Sequence, residues 1–122
     1  MLWSTNLVVV KSPTEWNSAE KIGKKDYLEG MEAFITRKNL TTGRLWGPSQ
    51  RISREEALRM ATIWAARFYD DEKIMGSIEP GKLADLVVLG GDYMTVPEEG
   101  ISDIPVLKVI VGGKATYERK AN

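Results

Sequence analysis

Carboxylates are the side chains best placed to do chemistry in this sequence, because its 122 residues include no histidine and no cysteine. Imidazole is the commonest ligand of catalytic transition metals and the usual general base near neutral pH. Any metal held here would therefore need oxygen donors alone. Asp70, Asp71 and Glu72 form an acidic run that could bind a hard cation. The run lacks the alternating ligand positions and the glycine of a calcium loop, so a solvated helix end accounts for it better. Glu98 and Glu99, before Gly100, have the composition of an acid/base pair, but adjacent carboxylates in extended or turning chain diverge. Asp85 stands at the entrance to an apolar run, a place suited to accepting backbone amides rather than to chemistry. No catalytic, cofactor-binding or metal-ligating residue is assigned.

The paired glycines Gly90-Gly91-Asp92 and Gly112-Gly113-Lys114 lack the loop-into-helix spacing by which glycines cradle phosphate, and turns explain both. Of Trp3, Trp16, Trp46 and Trp64, only Trp64 sits in a periodic apolar face, where core packing is the default. The other three suit either local packing or a surface once covered by further polypeptide. Seventeen basic and seventeen acidic residues cancel, so no overall field exists to hold nucleic acid or an anionic membrane. The apolar runs Leu7 to Val10 and Leu86 to Leu89 fall far short of the roughly twenty residues that span a bilayer. The start of the chain lacks the basic and apolar segments of a secretory signal, and the missing cysteine suits a reducing compartment. The expectation is a cytoplasmic protein.

These residues need elements to position them. Leu7 to Val10 reads as a short strand buried on both faces, ended by Ser12 and Pro13. Thr14 to Lys25 reads as loop. From Asp26 the spacing of Tyr27, Met31, Phe34 and Ile35 predicts a helix with those four residues inward. Asn39 to Gln50 carries turn residues. Ser53 and Glu56 form a capping box that starts a second helix at Arg54. Ala57, Leu58, Ala61, Trp64, Ala65 and Phe68 should line its buried face, with Arg54, Glu55, Arg59 and Arg67 toward water. Glu79-Pro80-Gly81-Lys82 suits a type II turn. Leu86 to Leu89, Val106 to Val111 and Lys114 to Glu118 read as strands, the last two joined by a Gly112-Gly113 hairpin turn.

Read as one stretch, Gly76-Ser77-Ile78-Glu79-Pro80-Gly81-Lys82-Leu83-Ala84-Asp85-Leu86-Val87-Val88-Leu89 resembles the segment near the C-terminus of amidohydrolase-superfamily enzymes. Upstream, Ile52 to Leu58 with Ala61-Thr62 and Ala65-Ala66, and downstream, Val109 to Lys114, add to the likeness. Together they resemble the amidohydrolase-3 branch, whose members hydrolyse C–N bonds. The resemblance covers Ile52 to Glu118 and extends back to Phe34-Ile35-Thr36-Arg37. It implies that Ser53 to Phe68 is a late helix of a (β/α)8 barrel, and that the later strands are one share of a small β-sandwich. It also implies a parent enzyme using a divalent metal such as zinc. The His-x-His pair and later histidines of that family have no counterpart here. If Leu7 to Val10 matches the last barrel strand, Lys11-Ser12-Pro13 puts proline where the family has its aspartate.

The resulting expectation is an α+β chain: two helices and a small, mainly antiparallel sheet forming one domain over residues 1–122. Residues 1–70 would be a mainly helical remnant of late barrel elements, and 71–122 a β-sandwich portion. Functionally it would be the structural C-terminal part of an amidohydrolase-like enzyme, catalytically incomplete alone, as a truncated product or a subunit complementing a separate barrel chain. Exposed edges and an apolar face motivate the alternative, a self-associating interaction module, a homo-oligomer most simply built as a twofold dimer.

Overall fold

The computed structural model describes residues 7–8, 26–39 and 41–120. Trp3, Trp16, the loop expected over 14–25 and the segment 9–13 lie outside them. Among the described residues the architecture is α+β, with one antiparallel sheet of four strands. The strands are β1 (Leu7–Val8), β2 (Leu86–Leu89), β3 (Val106–Val111) and β4 (Lys114–Glu118), neighbours in that order. Three α-helices, α1 (Asp26–Thr36), α2 (Arg54–Ala61) and α3 (Ile63–Phe68), accompany it. Short 3-10 turns stand at Pro48–Gln50 and Glu98–Gly100.

The sheet follows the sequence pattern closely. β2 presents Val87 and Leu89 inward, and Val87 stands opposite Val109, which stands opposite Tyr117. Gly112 and Gly113 both adopt positive φ, 55° and 79°, the two-residue turn whose twist matches its strands. β1 is a correction to the alignment with a barrel strand. Leu7 pairs with Val88 and Val8 with Val87, antiparallel, whereas strands of a (β/α)8 barrel run parallel to their neighbours.

The helices depart further. In α1 the buried residues are Leu28, Met31, Glu32, Ile35 and Thr36, while Tyr27 and Phe34 are exposed. The helix is turned toward Glu32 because that carboxylate has a partner inside: its Oε2 accepts the Ser102 backbone N–H at 2.7 Å. Thr36 Oγ1 donates to the Glu32 carbonyl oxygen. A buried polar group with its bonds made costs little, so apolar spacing alone does not fix the inward face.

The second expected helix is two helices, because the chain breaks at Thr62 (φ −125°, ψ −97°). Its Oγ1 donates to the Leu58 carbonyl at 2.7 Å and its amide to Arg59, a competition with the helical ladder that bends helices. Past the break the inward positions change. Ala57 and Ala66 are buried, but Trp64 and Phe68 are exposed, contrary to the expected face. Arg54 also departs from expectation: it is partly buried and donates to the carbonyls of Tyr93 and Val96.

At the start of α2 the capping box forms in full: the Glu56 amide donates to Ser53 Oγ at 3.1 Å, and the Ser53 amide to Glu56 Oε2 at 2.8 Å. Ser53→Ala is expected to cost about 1 kcal/mol, read as a lower urea midpoint. The bond from the Ser53 amide, with that to its hydroxyl, holds the Glu56 carboxyl below the ordinary glutamate value. A folded pKa below the unfolded one stabilises above about pH 4.3 and fades as pH falls through the folded value. Glu56→Gln should flatten that acid-side slope in a series of melts.

The core joins both halves. Leu28, Met31 and Ile35 of α1 and Ala57 of α2 meet Val87, Leu89 and Val109 of the sheet, and Tyr93, Ile101 and Ile104 lie among them. Those last three come from the connector 90–105, which sequence reasoning left without a structural role.

Candidate functional site

Asp85 comes to rest against the hairpin at the end of the sheet. It is 6% exposed, and its Oδ1 accepts the Gly112 N–H at 2.7 Å. The Gly113 N–H donates to the neighbouring Ala84 carbonyl at 3.0 Å. Both amides of the glycine pair are thus consumed inside the chain, which leaves them no role in cradling phosphate. The other pair is engaged likewise: the Gly90 amide donates to the Pro105 carbonyl, and a Cβ on Gly90 would lie 2.7 Å from the Pro105 ring. Asp92 Oδ1 accepts the Met94 amide at 2.9 Å, a local turn.

The remaining carboxylates are held apart. Glu98 pairs with Arg51, and Glu99 with Lys38. The Lys38 ammonium, by hydrogen bond and charge, keeps the Glu99 carboxyl below its usual range. Adjacent in sequence, the two glutamates serve different cations and do not act as an acid/base pair. Asp70 takes a left-handed conformation, φ 58°, and its amide donates to Arg67 while that of Asp71 donates to Ala66. This is the bonding of a helix C-terminus with Asp70 in the position usually given to glycine. The acidic run therefore closes α3.

The turn at Glu79–Lys82 forms as its residues indicate, with Gly81 at φ 90° and the Lys82 amide donating to the Glu79 carbonyl. Lys82 Nζ reaches Glu79 Oε2 at 2.8 Å and Ser77 Oγ at 2.6 Å. That lysine, with the Ser77 hydroxyl, holds Glu79 below the ordinary carboxylate range. A nucleophilic serine needs a basic neighbour, and a lysine ion-paired to glutamate is not one.

Sequence reasoning missed two polar contacts that fasten helices to connector. One is Glu32 on the Ser102 amide; its signal was an acidic residue one turn after Leu28. The other joins Arg54 and Tyr93. The guanidinium donates to the Tyr93 carbonyl and the Tyr93 hydroxyl donates to the Arg54 carbonyl at 2.9 Å. Burial pushes the Tyr93 hydroxyl up to about 12, with the Arg54 charge opposing.

Two tryptophans lie among the described residues. Trp46 is exposed, with the Arg44 guanidinium 4.3 Å from its ring centroid, a cation–π contact. Trp64 is exposed on α3. Among the described residues no three acidic side chains converge as a metal site would require, and no helix is long and apolar enough to cross a membrane.

The pattern of the amidohydrolase family matches residues 22–117. Over 72 residues the chain is 43% identical to Protein LONG AFTER FAR-RED 3 of Arabidopsis thaliana, covering 59% of this chain and 12% of that protein. It is 38% identical, also over 72 residues, to N-substituted formamide deformylase of Arthrobacter pascens, 59% of this chain and 13% of the relative. A third relative, imidazolonepropionase of Picrophilus torridus, is 49% identical over 47 residues, 38% of this chain and 12% of that enzyme. Each match thus spans about an eighth of the relative's length. Among solved structures, an amidohydrolase from Thermotoga maritima shares the fold at a TM-score of 0.50 and 19% identity, over 87% of this chain and 40% of the other. With the family's pattern running from before α1 into β4, this chain belongs to the amidohydrolase family.

Proposed function

We propose that the chain is the C-terminal structural portion of an amidohydrolase-like enzyme acting on non-peptide C–N bonds, and that it is catalytically incomplete on its own. The carrying observation is the family match over residues 22–117 in a chain that contains no histidine. The amidohydrolase resemblance implies a divalent metal, and the residues present do not fit one. There is no imidazole or thiolate to ligate it, and the described carboxylates near the turns are committed to Arg51, Lys38, Lys82 and backbone amides. No step of hydrolysis is therefore assigned to this chain's side chains. The Arthrobacter relative, an N-substituted formamide deformylase, supports the C–N bond as the parent's target.

In this reading Asp85, the Pro80-Gly81 turn and the Gly112-Gly113 hairpin hold a β-sandwich portion together, and none of the catalytic machinery lies in these 122 residues. The absence of cysteine supports a reducing, cytoplasmic setting. Self-association through the sheet gains no support from β4. Its pairing skips Thr116, because Val109 faces Tyr117 while Ile110 faces Ala115. A bulge and terminal charges, Lys114 and Glu118, are devices that keep an edge from pairing with a copy of itself.

The test is an amidase assay of the purified chain with zinc, manganese or iron, beside a calorimetric titration with zinc. No turnover and no tight stoichiometric uptake are expected. Turnover that copurifies with the chain, and that a substitution in the chain abolishes, would overturn the proposal.

A further inference from the structure

We draw no further inference here: the strongest candidate, the exposed Leu45 and Trp46 patch on the hairpin closed by the Lys38–Leu45 bridge, with the Arg44 guanidinium over the Trp46 ring, carries nothing because nothing in the structure shows what covers it.

Discussion

Gly76→Ala is expected to lower stability by about 3 kcal/mol, which for a domain of this size moves the melting temperature by more than about 10 °C. Two causes act together. Gly76 adopts φ 93°, a conformation that L side chains rarely take and that costs on the order of 1–3 kcal/mol when forced. The added methyl group would also stand 2.7 Å from the Ala66 Cβ and 3.0 Å from the Ile63 backbone. Neither neighbour is the movable end of a long side chain, so α3 itself must shift, at a further ~1–3 kcal/mol. Gly30→Ala is the opposite case within the same protein. A Cβ there meets nothing within 4 Å and the residue lies inside α1, so a gain of roughly 0.5–1 kcal/mol is expected. Thermal melts followed by circular dichroism read both. Coincident melts for the Gly76→Ala protein and its parent would show that α3 does not rest on Gly76.

Asp85→Ala should cost about 2 kcal/mol. It removes the charged acceptor of the Gly112 N–H from a buried position, a bond worth on the order of 1.5–3 kcal/mol, while the exposed Gly112 can turn to water in exchange. Asp85→Asn keeps an acceptor oxygen and should lose about half as much. Urea unfolding measures the two losses, and hydrogen exchange localises them: the Gly112 amide should exchange far faster in the alanine variant. If that amide stays protected, the bond to Asp85 is not what holds the hairpin. The alanine–asparagine comparison bears on role as well as size, because a residue that serves by geometry tolerates an isosteric acceptor.

The parts of the fold that were legible in the sequence are those written in local chemistry. The capping box at Ser53 and Glu56, the Pro80-Gly81 turn, the Gly112-Gly113 hairpin and the three later strands each depend on residues within a few positions of one another, and each appears where its pattern indicates. Asp85 was legible from its place before a strand, although the amide it accepts, that of Gly112, lies 27 residues on. What sequence periodicity could not give was decided by contacts distant along the chain. The inward face of α1 depends on Ser102, seventy residues away from Glu32. The partial burial of Arg54 depends on carbonyls at 93 and 96. The break at Thr62 hides in a stretch whose apolar spacing runs unbroken from Ala57 to Phe68, because a hydroxyl bonding one turn back leaves no trace in hydrophobic pattern. Trp64 and Phe68 were read as core residues from that same spacing. An apolar face says that something covers it, and not whether the cover belongs to the same polypeptide.

The connector 90–105 settles how the molecule should come apart. It threads Tyr93, Ile101 and Ile104 between the helices and the sheet, and it is also the stretch that Arg54, Glu32 and Arg51 grip from the helical side. Neither half retains a closed interior once this wedge withdraws. A protease that nicks the backbone here would therefore not release a helical piece and a β piece able to persist separately. Both would lose their order at a single event, and the clipped chain would be degraded as one body.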